Sequence, residues 1–304
     1  MGRDVFAASS AARSIFEAAD DVLEMPISKL CFEGPEDELR RTEIQQPAIL
    51  TTSIALLRSL EAEVGPLDPG YFGGHSLGEY SALVAAGALD FEDAVRTVHL
   101  RGRLMQDAVA EGRGAMAVVI GVASDVVDDV CAHAARETGL VVTAANYNAP
   151  NQIVVAGDAI AVEIACNRVR ELGAKKTIPL AVSAPFHCAL MEPAAERLES
   201  ELTRLRFRDA DPPVITNVEA EPNTNAARMP ELLRKQVTAP VRFTDMIAKM
   251  KALGVDRFLE VGPGRVLSGL IARIERRARR ANFSSLAELD GVRDFVERKN
   301  EDAS

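Results

Sequence analysis

Between Gly114 and Val182 the chain switches repeatedly between strand-like and helix-like texture, and the order of the switches admits few folds. AMAVVIGV (115–122) is a short β-branched run of strand length. SDVVDDVCAHAARE (124–137) is amphipathic at helical spacing. VVTAAN (141–146) and QIVVAG (152–157) are strands separated by a turn at Asn148-Ala149-Pro150-Asn151. AIAVEIACNRVRELG (159–173) is again a helix, and KKTIPLAV (175–182) a strand.

This βαββαβ order is the ferredoxin-like pattern, and it predicts a small subdomain over residues 114–182. The segments on either side read as one larger α/β domain interrupted by it, residues 1–113 and 183–281. Its core is expected to be a parallel sheet of the α/β-hydrolase-like kind. Residues 282–304 read as a polar, peripheral C-terminal tail. Within the larger domain, Pro47 is expected to open a helix, since proline suits the first helical turn. A short strand leads into Gly74, a helix starts abruptly near Ser76, and Asp90 caps the next one. Further helices are expected near 228–236, 243–253 and 264–280.

Composition removes several function classes. The chain has 304 residues, enough for a sizeable core, with 47% apolar and 26% charged residues. A formal net charge of −10 opposes general nucleic-acid binding, which needs a basic surface to displace counterions. Trp is absent, so base stacking has little to work with. Four scattered cysteines fit neither a zinc site nor a disulfide framework and suit a reducing compartment. No apolar run has the ~20 residues of a membrane span. A cytoplasmic protein, not bound to membranes, is the expectation.

Gly74-His75-Ser76-Leu77-Gly78 fits G-x-S-x-G, a turn that lifts a serine hydroxyl above a sheet edge at a helix N-terminus. There, unpaired backbone N–H groups face developing negative charge. A second reading needs no chemistry: Ser76 caps the helix, and Glu79 completes a capping box three residues on. The two are compatible. A serine nucleophile requires a base. Of four histidines, His75 is Ser76's neighbour on a tight turn and points away. His99 and His133 fall within helices, where ordinary packed or surface histidines are common. His187 sits in a proline-bearing loop after a strand, where the chain returns from the insertion. It is the best placed of the four. Arg101, on its residues alone, reads as a solvated charge on a helix.

GHSLGEYSALVAAGALDFEDAV, Arg101-Gly102 with Met105-Gln106, and GAMAVVIG together resemble the malonyl-CoA:acyl carrier protein transacylase family. So do the run Asn146, Asn148, Pro150, Gln152, the Ser-x-Pro-x-His run ending at His187, Gln236 with Pro240-Val241, and Glu260-Val261-Gly262-Pro263-Gly264. The resemblance spans the chain to about residue 280. It implies that Ser76 is acylated, that His187 is its general base, and that the Gln236 carbonyl orients the imidazole. Arg101 would hold the malonyl carboxylate. Phe186, His75 and Asn148 would border the substrate, with Phe186 narrowing the pocket beside the α-carbon.

The reaction so implied is ping-pong, from malonyl-CoA to the phosphopantetheine thiol of an acyl carrier protein, for fatty-acid or polyketide synthesis. No bound cofactor or metal is needed, and the protein is expected to be a monomer. Carrier proteins are acidic, and Arg273, Arg276, Arg277, Arg279 and Arg280 form a candidate docking run. The family opens with a strand and a Gly/Gln-rich loop that supplies a second oxyanion donor; Met1–Phe6 resembles the segment after that loop. That leaves the N–H of Leu77 as one donor. Two further expectations follow: a start upstream of Met1, or a carrier-binding homologue of impaired activity. A serine esterase is the remaining rival.

Overall fold

The computed structural model describes residues 1–182 and 184–301; Ser183, first in the Ser-x-Pro-x-His run, and residues 302–304 of the expected tail lie outside the described residues. Four short helices begin the chain: α1 (Arg3–Ala8), α2 (Ser10–Leu23), α3 (Ile27–Glu33) and α4 (Glu36–Leu39). The first three are joined by an aromatic cluster. Phe6, Phe16 and Phe32 approach with ring centroids 5.0–5.8 Å apart. Tilted and edge-on pairs of this kind add about 0.5–1.5 kcal/mol each beyond their buried area.

Helix α5 (Thr42–Val64) runs through the middle of the molecule and is buried along most of its length. The helix expected to open at Pro47 begins earlier, at Thr42, and Pro47 lies inside it. Proline has no N–H to donate to the carbonyl four residues back. That carbonyl belongs to Glu43, and His99 Nδ1 donates to it at 3.0 Å. The donor comes from α7 (Phe91–Asp107), which follows β1 (Phe72–Gly73) and α6 (Leu77–Ala85). On α7, Gly102 lets the two helices meet: a Cβ there would stand 2.6 Å from Glu43 Cα. Asp90 precedes α7, but its carboxylate does not cap the helix; it pairs with Arg208 at 2.6 Å.

The insertion follows as β2 (Gly114–Ile120), α8 (Ser124–Thr138), β3 (Val142–Ala149), β4 (Gln152–Asp158), α9 (Ala159–Glu171) and β5 (Lys176–Pro179). Its sheet has the order β3-β4-β2-β5, all neighbours antiparallel. Val127, Val130, Cys131 and Ala134 of α8 and Ala161, Val162, Ala165 and Val169 of α9 pack on Ala117, Val119, Ile153 and Val155 of the sheet.

The remainder comprises α10 (Glu192–Leu202), β6 (Val214–Ile215), β7 (Pro222–Asn223), α11 (Met229–Thr238), α12 (Phe243–Ala252), β8 (Arg257–Val261), α13 (Val266–Ile274), β9 (Arg279–Phe283) and α14 (Leu289–Glu301). Strand β1 pairs in parallel with β6, which pairs antiparallel with β7; β8 and β9 form a separate parallel pair. The segment expected as a peripheral polar tail is built into the fold. Phe283 is fully buried in the same cluster as Phe16, and Val292 of α14 joins it. The helix expected over 264–280 ends at Ile274, and the rest becomes β9.

The segment between α11 and α12 ties the insertion to the body. Val241 donates to Ala145 O and accepts from Tyr147 N, both at 2.9 Å, and Thr244 Oγ1 donates to Tyr147 O at 3.0 Å. Among the described residues, no helix is long and apolar enough to cross a membrane.

Candidate active site

Strands β1 and β6 run in parallel, so Gly74 and Asn217 leave the same edge of the sheet. The turn between β1 and α6 is tight enough that a Cβ on Gly74 would lie 2.2 Å from the Gly78 backbone; only glycine fits. Ser76 sits at its apex with φ 51° and ψ −107°, a strained conformation for a residue with a Cβ. Asn217 holds it there. Its Oδ1 accepts from Ser76 N–H at 2.6 Å, and its Nδ2 donates to Gly74 O at 2.7 Å.

This geometry overturns the capping-box reading. The Ser76 side chain makes no cap hydrogen bond. Glu79 does not reach back to the turn either. It is 2% exposed, and its Oε2 accepts from Asn217 N–H at 3.0 Å and from Gln236 Nε2 at 2.8 Å. The Ser76 hydroxyl instead faces His187, with Oγ 2.8 Å from Nε2. The other ring nitrogen, Nδ1, lies 2.8 Å from the Gln236 carbonyl oxygen. A carbonyl can only accept, so Nδ1 carries the proton and Nε2 is left as acceptor for the serine O–H. Burial, and then the charge of Arg101, push the His187 pKa down to about 3, which keeps the ring neutral at pH 7. His187 adopts φ 59°, a second strained residue at the same centre.

Arg101 is not a surface charge. It is 2% exposed and points at the serine. Nη2 donates to Ser76 Oγ at 3.0 Å and to Gln236 Oε1 at 2.9 Å; Nη1 donates to Gln46 Oε1 at 2.6 Å. Its Nε is buried and has no hydrogen-bond partner among the described residues. Burial pushes the guanidinium pKa down, while Tyr80 and Glu79 oppose that shift. The nearest route to a counter-charge runs through the Gln236 amide to Glu79. A buried cation answered mainly by neutral amides is costly unless an anion completes it.

The structure therefore brings together Ser76, His187, Gln236 and Arg101. Leu77 opens α6, where its N–H has no intrahelical acceptor. His75 turns toward the insertion: Nε2 is 2.8 Å from Asn148 Oδ1, and its ring lies 5.7 Å from that of Phe243. Phe186 is partly buried against the main core and the cluster around Cys188. Among the other histidines, His99 satisfies Glu43 O and His133 is exposed beside Arg136. In the arginine run, Arg273 bonds Gln152 and Arg279 pairs with Asp256 at 2.9 Å. Arg280 donates to the carbonyls of Glu275 and Ala278, and Arg276 and Arg277 are exposed.

Sequence reasoning missed Gln46, Glu79 and Asn217. Gln46 had a usable signal: with Leu50, Ser53, Leu57 and Leu60 it follows one buried stripe of α5. Arg101 had one too, falling in register with Ala94, Val98 and Met105 on the buried face of α7.

Residues 1–289 match the family described as acyl transferase domain. The chain is 45% identical over 303 residues to a malonyl CoA-acyl carrier protein transacylase of Bacillus subtilis, covering all of this chain and 95% of the relative. An acyl carrier protein S-malonyltransferase structure from Vibrio cholerae superposes with TM-score 0.93 at 41% identity, covering 96% of this chain and 94% of the other. A malonyl-transacylase solved in complex with its type II polyketide-synthase acyl carrier protein superposes with TM-score 0.93 at 42% identity, over 97% and 94% of the two chains.

Proposed function

The chain belongs to the acyl transferase domain family, and from that premise we propose that it moves a malonyl group from malonyl-CoA to the phosphopantetheine thiol of an acyl carrier protein. The observation that carries the choice of acyl group is Arg101: a buried guanidinium beside Ser76 Oγ, with an unpartnered Nε. It suits a planar carboxylate held bidentately, and it disfavours acetyl, which would leave the cation unanswered.

Ser76 Oγ attacks the thioester carbonyl while its proton passes to His187 Nε2. Nδ1–H stays on the Gln236 carbonyl, so the developing imidazolium is held by main chain rather than by an acid. The N–H of Leu77 faces the oxyanion. The carbon–sulfur bond then breaks and His187 returns its proton to the CoA sulfur, leaving malonyl as a serine ester. The carrier thiol repeats the sequence in reverse: it gives its proton to His187, attacks the ester, and Ser76 Oγ takes the proton back.

His75 and Asn148, joined to each other, form the wall of the site on the side of the insertion, and Phe186 narrows it near the acyl α-carbon. The carrier docks on the basic run, with Arg276 and Arg277 exposed and Arg273 anchored to Gln152 at the start of β4. A monomer is the expected working form: Ser76, His187, Arg101 and Gln236 all come from one chain, so the site needs no residue from a second copy. Four unpaired, buried cysteines support a reducing, cytoplasmic setting. Incubation with malonyl-CoA should place a malonyl ester on the Ser76 peptide, read by mass spectrometry, that survives in buffer and moves to holo-carrier thiol. An ester lost to water at the same rate with or without carrier would rule the transfer out.

A further inference from the structure

The side-chain amide of Gln236 can be turned two ways, and the two are not equivalent for Arg101. In the orientation present, Nε2 donates to Glu79 Oε2 at 2.8 Å and to Ser76 O at 3.0 Å, which uses both of its protons. Oε1 is thereby left facing Arg101 Nη2 at 2.9 Å. Turned over, the amide would set its NH₂ against a guanidinium and its oxygen against a carboxylate and a carbonyl. Glu79 Oε2 is itself fixed by the Asn217 N–H at 3.0 Å, the same asparagine that holds Ser76 N–H. One acceptor atom thus settles an amide that settles a guanidinium.

We propose that Glu79 is a positioning residue: its Oε2 fixes the polarity of the Gln236 amide and so aims Arg101 at the carboxylate of an acyl group on Ser76. This rests on the malonyl transfer proposed above. What matters in it is an acceptor at the Oε2 position, not the charge. Burial pushes the Glu79 carboxyl up to about 7, and a protonated carboxyl still presents an accepting oxygen there.

Two conservative variants separate the alternatives. Glu79→Gln removes the charge but keeps an oxygen that reaches Asn217 N–H and Gln236 Nε2. Glu79→Asp keeps the charge but withdraws the acceptor by one methylene. Steady-state rates with malonyl-CoA and acetyl-CoA are measured for both and for wild type, with circular dichroism confirming the fold. E79D should raise the malonyl-CoA KM about tenfold and lower malonyl-over-acetyl preference by a similar factor, whereas E79Q stays within about 3-fold of wild type on both measures. The reverse order would assign the role to the charge and overturn the proposal. Unchanged KM and preference in a folded E79D would reduce Glu79 to a structural residue. Wild type that transfers no malonyl would instead strike the proposed function itself, which separates the two failures.

Discussion

The interior of the inserted sheet and the groups packed behind Ser76 are both buried, and they are opposite kinds of side chain. Between α8, α9 and the four-stranded sheet lie Val, Ala, Ile and Cys. Each is held by area removed from water, about 25 cal/mol per Å², and none needs a particular neighbour. Around Ser76 the buried groups are Arg101, Glu79, Gln236, Gln46, His187 and Asn217. Here each group depends on a stated donor or acceptor, because an unpaired one costs about 1–3 kcal/mol. The first interior tolerates substitution by volume; the second is specified atom by atom.

The largest expected break in this contrast is at the base. His187→Ala should lower kcat by about 10²–10⁴ while the far-UV spectrum stays that of wild type. Next is Arg101→Ala, which should cut malonyl-CoA kcat/KM by about 10–10²-fold and acetyl-CoA kcat/KM by much less, so that malonyl preference falls. A variant that kept its malonyl preference would remove Arg101 from recognition. On the apolar side, Ile153→Val in β4 should lower unfolding free energy by about 0.5–1.5 kcal/mol with kinetics unaltered. Altered selectivity there would show the two interiors to be coupled.

The smallest effect is in the pH dependence of stability. His187 has a folded pKa of about 3 against 6.5 unfolded, so its contribution is full above pH 6.5 and is lost as pH falls below that. Glu79 has a folded pKa of about 7 against 4.5 unfolded, so its contribution is full below pH 4.5 and is lost as pH rises through 7. Between pH 4.5 and 6.5 the two slopes oppose each other, and denaturant midpoints should change little from this pair. In Glu79→Gln the opposition is gone, and the acid loss should begin near pH 6.5. An identical profile in both proteins would mean that Glu79 does not titrate in that window.

The same contrast explains what could be read from the sequence. The insertion was legible because hydrophobic period alone determines it: strands β2 to β5 and helices α8 and α9 stand where alternation and helical spacing put them. The elbow was legible because Gly74 is demanded by contact with the Gly78 backbone. Glu79 was misread because serine followed three residues later by glutamate is also the pattern of a capping box; spacing does not say which way a carboxylate turns. Asn217 lies two residues past β6, with no periodic signal to set it apart. The C-terminal segment was misjudged by its charge, although Leu289, Val292 and Val296 recur at helical spacing and all join the aromatic core. Pro47 misled because it suits a first turn, and only the distant His99 explains why an interior one is tolerated.

The hydrogen bonds that assemble the site join residues far apart in the chain: Ser76 to His187 across 111 positions, Arg101 to Gln236 across 135, Ser76 to Asn217 across 141. Closing loops of that length comes late, since the chain entropy is lost before the contacts form. During synthesis the glycine turn emerges well before any of its partners, and until Asn217 arrives nothing holds Ser76 in its strained backbone. Acylation competence is therefore among the last properties this chain acquires. In refolding, recovery of malonyl transfer should trail recovery of helical signal, and the interval between them times the arrival of residues 187–236.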